Sequence, residues 1–226
     1  MRVAAVLAAG ALAGLAAAPA SARPSRCVTA ARAAGSTQLV TVTVASSRAT
    51  TGSLELWRRA GSCWHRVAGP WRAHVGWNGI SAHKHEGDGT TPAGTFRLGS
   101  TVYGLDPDPG VHGRYHRLRC GDWWDEDPAS AAYNRFRHLA CGATPSFGGG
   151  SEALWRETTA YRELAVVEYN AHPIVPGRGS AIFVHDSTGG PTNGCVSLPR
   201  ARLLRLLRWL RPGAQPRIAI GLRRFS

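Results

Sequence analysis

The chain has 226 residues, of which 43% are hydrophobic and 18% are charged. This length and composition can bury the core of one large domain. The formal net charge of +13 comes almost entirely from arginine, because Lys84 is the only lysine, and after the first 22 residues no stretch is long and apolar enough to cross a bilayer.

The N-terminus has the pattern of a secretory signal peptide. Arg2 precedes an apolar run over residues 3–18, and Ala20-Ser21-Ala22 follows as a small-residue cleavage signal. The run is shorter than the ~20 residues that span a membrane. We therefore expect residues 1–22 to be removed and residues 23–226 to form a single secreted domain without a stable membrane anchor, located extracellularly or on the cell-wall side of the bacterial membrane. The basic charge then suits an anionic cell envelope or acidic peptides, and not nucleic acid.

Short segments of alternating or clustered apolar residues predict a mainly β fold. Turn-forming Gly, Ser and Pro residues separate these segments. The residues from about 36 to 75 belong either to the main sheet or to a small accessory layer. The predicted strands are centred on residues 40–44, 54–56, 64–67, 71–75, 95–98, 164–169, 181–185 and 217–222.

The cysteine count predicts one unpaired thiol. Five cysteines in a secreted chain cannot all pair with one another, and we expect Cys195 to be the free one. The other four admit three pairings, of which chain order favours Cys27 with Cys63 and Cys120 with Cys141. The second pair would staple the irregular segment from Tyr103 to Gly150, a long loop insertion.

His185 lies ten residues before Cys195, at the end of an apolar run and ahead of a Gly/Pro/Thr/Asn loop. This arrangement is typical of a thiolate nucleophile and its base. One helix is predicted over residues 199–211, because leucines at 203, 206, 207 and 210 share a stripe and Pro199 suits the first turn.

The predicted helix and the loop indicate how the nucleophile would be activated. A helix N-terminus and a nearby imidazole lower the pKa of a thiol, so we expect Cys195 to be largely thiolate. The backbone amides of Gly194 and Cys195, with the Asn193 side chain, would donate to the oxyanion, and Thr192 belongs to the same substrate-binding loop.

The block from His185 to Thr192-Asn-Gly-Cys-Val196 resembles the catalytic signature of the L,D-transpeptidases of bacterial peptidoglycan. A second block, Thr91-Pro-Ala-Gly-Thr-Phe96 with its preceding loop, is similar to the family's Thr-Pro-x-Gly-x-Phe stretch, so the resemblance covers about residues 76–221. Asn193 stands where the family usually has a histidine, and Ser197 where Asn or Arg is common.

The resemblance implies a β-sandwich-like catalytic domain with one helix after the nucleophile. It also implies that Cys195 is acylated by a peptidoglycan stem peptide, that His185 takes its proton, and that an acceptor amine or water resolves the thioester. No metal or organic cofactor is implied, and carbapenem-type β-lactams should acylate the cysteine. Such an enzyme would act in cell-wall biogenesis and cell shape.

Three other interpretations remain open. A zinc peptidase would draw its ligands from the histidines at 83, 85, 112 and 116 and from Asp88. A sortase-like cysteine transpeptidase would use His138, 57 residues before Cys195. A non-catalytic wall-binding module would use Trp123, Trp124, Trp155 and the arginines, although tryptophans in a stapled loop more often form its own small core. Lys84, Glu86 and Asp88 are further candidate substrate contacts, with loop capping as the alternative for Asp88.

Overall fold

The computed structural model describes residue 33, residues 35–148 and residues 150–222. The signal-peptide prediction and Cys27 lie outside these described residues. The described part is mainly β-structure with one α-helix, which confirms the predicted fold class. The elements are β1 (Gln38–Val44), β2 (Thr51–Ala60), β3 (Cys63–His74), β4 (Ile80–Ser81), β5 (Thr91–Pro92), β6 (Gly94–Gly104), β7 (Arg114–Arg117), β8 (Asp122–Asp125), β9 (Arg135–His138), β10 (Glu152–Ala153), β11 (Leu164–Val167), β12 (Phe183–Asp186), β13 (Val196–Leu198), α1 (Arg200–Trp209) and β14 (Arg217–Leu222).

Nine strands form one large sheet that closes on itself. Its order is β11-β12-β13-β3-β2-β1-β14-β6-β7, and β11 also pairs with β6. Closure leaves few free strand edges and encloses a core. Because β1, β2 and β3 are members of this sheet, residues 38–74 belong to the same sheet as β12 and β13 and are not a separate layer.

The alternation that predicts β1 places its valines inside the closed sheet. Val40, Val42 and Val44 are all buried, and they pack in one cluster with Leu54 and Leu56 of β2. Side chains that point inward at every second position remove apolar surface from water, worth about 25 cal/mol per Å². Burial of this cluster therefore stabilises the fold.

Helix α1 forms as the leucine spacing predicts. It spans Arg200–Trp209 with Pro199 at the N-cap, and its leucines at 203, 206, 207 and 210 are buried in the main core. A short 3-10 turn at Pro212–Ala214 follows and leads into β14. No helix within the described ranges combines the length and apolar character that crossing a membrane requires.

The structure differs from the sequence prediction at Gly69-Pro70. The predicted break between two strands is instead an irregularity within the single strand β3, where the register with β2 shifts. Gly69 has φ +94°, and a Cβ there would lie 2.6 Å from the carbonyl oxygen of Leu54. A glycine thus lets the two backbones approach closely while cross-strand pairing continues past the proline.

The segment between β6 and β11 carries a small sheet of its own. Strands β10, β8 and β9 pair in that order, and Cys120 and Cys141 are joined by a disulfide, which confirms the predicted staple. We call residues 105–163 the insertion. Cys63 is also disulfide-bonded, whereas its predicted partner lies outside the described residues.

Candidate active site

Cys195 is an unpaired, buried cysteine immediately before β13. Its sulfur accepts a hydrogen bond from the Phe183 amide at 3.3 Å and lies 3.2 Å from the carbonyl oxygen of Ala181, to which its thiol donates. Phe183 is the first residue of β12 and Ala181 lies two residues before it, so the segment that carries His185 also holds the sulfur. These two contacts fix the position of the sulfur and the direction of its S–H bond.

The parallel pairing of β12 and β13 places His185 and Cys195 on one face of the sheet. His185 pairs with Ser197, and Cys195 is two residues before Ser197, so its side chain points the same way as that of His185. From strand spacing and rise, their Cα atoms are about 8 Å apart. Tyr161 lies on this face, with its ring centroid 5.6 Å from that of His185, and it packs in the same buried cluster as Cys195.

His185 has a defined tautomer. Its Nδ1 lies 2.7 Å from the carbonyl oxygen of Asp186, and a carbonyl can only accept, so Nδ1 carries the proton. Burial lowers the pKa of His185 to about 4, against a small opposing effect of that hydrogen bond. The imidazole is therefore neutral at pH 7, and its Nε2 lone pair is available to take a proton.

The structure corrects the expectation of a thiolate. Burial raises the pKa of the Cys195 thiol well above its ordinary value, and the negative charges of Glu152 and Glu126 add to the effect. Moreover, β13 separates Cys195 from the first residue of α1, so the helix N-terminus does not adjoin the sulfur. The resting site consists of a neutral thiol and a neutral imidazole.

The loop before Cys195 is held by Thr192. Its Oγ1 donates to the carbonyl oxygen of Cys195 at 2.7 Å and accepts from the Gly194 amide at 3.2 Å. The Gly194 amide, a predicted oxyanion donor, is thus engaged with Thr192. The side chain of Asn193 is exposed, which leaves its amide available to a substrate.

Gly194 meets a conformational requirement at this turn. Its φ is +137°, and a Cβ would lie 2.9 Å from the carbonyl oxygen of Thr90 and 3.3 Å from Nζ of Lys84. The Lys84 ammonium is therefore next to the backbone of the loop before Cys195. Its positive charge partly offsets the rise in the Cys195 pKa.

Lys84 is fixed by Asp88, and Asp88 proves to be a loop-capping residue. The Asp88 carboxylate accepts from Lys84 Nζ at 2.9 Å, from the His85 amide at 3.0 Å and from the amide and hydroxyl of Thr90 at 2.8 Å each. Burial alone would raise the pKa of Asp88, but these hydrogen bonds lower it to about 2. Asp88 is thus ionised at all physiological pH values and keeps the ammonium beside Gly194.

Three carboxyl groups near the sulfur were not predicted as a group. The Ser180 hydroxyl contacts Glu86 at 2.8 Å and Glu126 at 3.4 Å, and Tyr161 donates to Glu152. We call Glu86, Glu126 and Glu152 the acidic cluster. Glu126 and Glu152 come from the insertion, which therefore forms one wall of the site.

The acidic cluster is partly protonated at neutral pH. Burial, with the charges of Glu152 and Glu86, raises the pKa of Glu126 to about 9. Burial raises the pKa of Glu152 to about 7, although the hydrogen bond from Tyr161 acts in the opposite direction. The negative charge felt by Cys195 therefore increases as the pH rises past 7.

His116, His138 and Asp186 make structural contacts in the insertion or behind the site. Ring nitrogens of His116 and His138 lie 2.8 and 2.6 Å from the Asp122 carboxylate. Both rings therefore bind Asp122 and stabilise the insertion. The Asp186 carboxylate accepts from the Glu163 amide. Hence Asp186 orients His185 through its backbone carbonyl and not through its side chain.

The tryptophans of the insertion pack against other aromatic rings. Trp124 is buried 4.9 Å from Phe183, and Trp123 lies 5.2 Å from Trp155 and 5.8 Å from Phe147. This packing supports the interpretation that the tryptophans form a small core of the insertion. The contact between Trp124 and Phe183 also packs the insertion against β12, next to the Cys195 sulfur.

Comparison with protein-family models gives a match to YkuD, the L,D-transpeptidase catalytic domain, over residues 41–219. The matched range covers most of the chain and includes β1 to β3, which precede the region of the sequence resemblance. Comparison with curated proteins finds no match, and comparison with solved structures also finds none.

Proposed function

Because the chain belongs to the YkuD family of L,D-transpeptidase catalytic domains, we propose that it is a secreted cysteine L,D-transpeptidase acting on peptidoglycan stem peptides. The observation that carries the proposal is the free, buried Cys195 on the same sheet face as the neutral His185. Asn193, Gly194 and Thr192 form the substrate-binding loop beside the sulfur. The proposed site of action is the wall side of the bacterial membrane.

The neutral thiol and the neutral imidazole define the first half-reaction. As Cys195 attacks the carbonyl carbon at the L-centre of the third stem residue, its proton passes to Nε2 of His185 and a carbon–sulfur bond forms. The tetrahedral intermediate then collapses, the bond to the terminal D-alanine breaks, and the leaving amine takes the proton from the imidazolium. A thioester on Cys195 remains.

The second half-reaction reverses these proton movements. An acceptor amine from a neighbouring stem attacks the thioester, its proton passes to His185, and the sulfur leaves and recovers a proton from the imidazolium. Water in place of the amine gives hydrolysis. Because Nδ1 of His185 is bound to the Asp186 carbonyl, Nε2 serves in both halves.

The positive charge of Lys84 and the Asn193 side chain support stabilisation of the tetrahedral oxyanion. The Lys84 ammonium adjoins the Gly194 backbone, and the exposed Asn193 amide is a free donor. Removal of one oxyanion donor costs about 3 kcal/mol in typical acyl-transfer enzymes. We assign the oxyanion to the Asn193 side-chain amide and the Cys195 backbone amide, with Lys84 as a nearby positive charge.

The test is turnover of a disaccharide-tetrapeptide fragment of peptidoglycan, with the products resolved by mass. The proposal expects loss of D-alanine together with a cross-linked dimer or a tripeptide product, and loss of both with Cys195→Ala. A folded protein that leaves the fragment unchanged but cleaves a sortase-type sorting peptide would contradict it. Cleavage that persists in Cys195→Ala would also contradict it.

A further inference from the structure

A cavity whose lining includes neither Cys195 nor His185 lies elsewhere in the described structure. It has a volume of about 510 Å³ and lies between β6, β14 and the loop after β11. Cavities of this size accommodate small ligands. Its lining includes Arg97, Arg178, Arg217, Glu168, His172 and Asn170, and the proposed reaction uses none of them.

The cavity has an excess of positive charge. Within residues 35–148 and 150–222, no carboxylate lies at ion-pair distance from Arg97, Arg178 or Arg217. The one carboxylate in the lining, Glu168, lies 4.0 Å from His172. Three guanidinium groups against one carboxylate leave two uncompensated positive charges when His172 is neutral.

Arg217 is the most enclosed of the three arginines, because it is half-buried whereas Arg97 and Arg178 are exposed. Its Nε is buried, and no hydrogen-bond acceptor for it lies in the described part of the chain. An oxyanion in the cavity would neutralise this half-buried guanidinium group, which lines the cavity and lies at ion-pair distance from no carboxylate in the described ranges.

The walls of the cavity are held in place before any ligand binds. The Asn170 side chain donates to the carbonyl oxygens of Val175 and Gly179 and accepts from the Val175 amide at 2.8 Å. The Glu168 amide donates to the Arg97 carbonyl at 2.9 Å, which ties the loop to β6. Fixed walls reduce the entropy lost on binding.

We propose that this cavity binds a phosphate group, either as free phosphate or as a phosphate ester. Guanidinium groups match phosphate oxygens with paired hydrogen bonds. A phosphate monoester carries a charge of about −1.5 to −2 near pH 7, which balances the excess in the cavity better than a single carboxylate. The proposal is independent of the chemistry at Cys195.

The experiment is calorimetric titration of the full secreted protein at pH 7.5 with inorganic phosphate, glycerol phosphate and glutarate, with chloride keeping the ionic strength constant. Both phosphates should bind, and glutarate should bind at least tenfold more weakly. Tighter binding of glycerol phosphate would support an ester ligand, and tighter binding of inorganic phosphate would support the free anion. Absence of phosphate binding, or glutarate binding of equal strength, would overturn the proposal.

Variants locate the binding to the cavity. Arg97 and Arg178 are exposed, so Arg97→Gln and Arg178→Gln should fold normally and should each weaken phosphate binding about tenfold or more. Arg72→Gln is the matched control, because Arg72 is exposed on β3 and outside the cavity lining. The thermal midpoint without phosphate checks that each variant folds. Equal weakening by Arg72→Gln, or no weakening by the two cavity variants, would refute the site.

Discussion

The reactivity of Cys195 towards a small neutral alkylating agent should rise steeply with pH. A thiol at the ordinary pKa of 9.0 is about 1% thiolate at pH 7, and burial with the acidic cluster reduces that fraction further. Only the thiolate reacts. The alkylation rate of the protein with iodoacetamide should therefore increase about tenfold per pH unit from 7.5 to 9.5, without a plateau.

Intact-mass spectrometry follows this reaction, because one added carbamidomethyl group on Cys195 reports each event. Burial slows access to the sulfur at every pH, so the slope, and not the absolute rate, carries the information. Glu152→Gln removes one negative charge near the sulfur and should speed alkylation at pH 8 severalfold. A rate that levels off below pH 8 would refute the reasoning, since it would reveal a thiolate–imidazolium pair in the resting protein.

Three further predictions concern the base, the acidic cluster and the insertion. His185→Ala should slow acylation by a β-lactam by about 100-fold, in line with the contribution of a general base, as measured by the rate of mass increase; an unchanged rate would exclude His185 as the base. Folded Glu152, with its pKa near 7 instead of 4.5, binds protons more tightly than the unfolded chain does, so stability falls as pH rises from about 4.5 to about 7. In urea unfolding, the free energy of unfolding of Glu152→Gln relative to that of the wild type should therefore be about 3 kcal/mol higher at pH 8 than at pH 4. An equal difference at both pH values would contradict the assigned pKa. Opening the Cys120–Cys141 loop, whose ends are 21 residues apart, with the double Cys→Ser variant should lower the free energy of unfolding by about 3 kcal/mol; no loss would show that the insertion needs no staple.

Much of the fold follows from local patterns in the sequence. The leucine stripe and Pro199 specify α1 within two residues at its C-terminal end, because helix periodicity and capping are local properties. The alternating valines of β1 specify its inward face, because strand periodicity is also a local property. The continuity of β3 through Gly69-Pro70 is not local, since pairing with β2 carries the strand past a turn signal.

The site was predicted less completely than the fold. Cys195, His185 and the 192–194 loop lie within one short stretch, so their chain spacing brings them together. Tyr161, Glu126 and Glu152 lie near the sulfur only because the insertion folds back on β12, and their positions in the sequence do not indicate this proximity. The protonated state of the thiol likewise depends on burial by residues that are distant in the sequence, so no local sequence pattern predicts it.

The most direct test of the central claim is intact-mass analysis of the protein after exposure to a carbapenem, followed by peptide mapping. The account predicts one covalent adduct on Cys195, formed by the wild type and absent from Cys195→Ala. An adduct on any other residue, or none on the folded wild type, would contradict the assignment of Cys195 as the nucleophile.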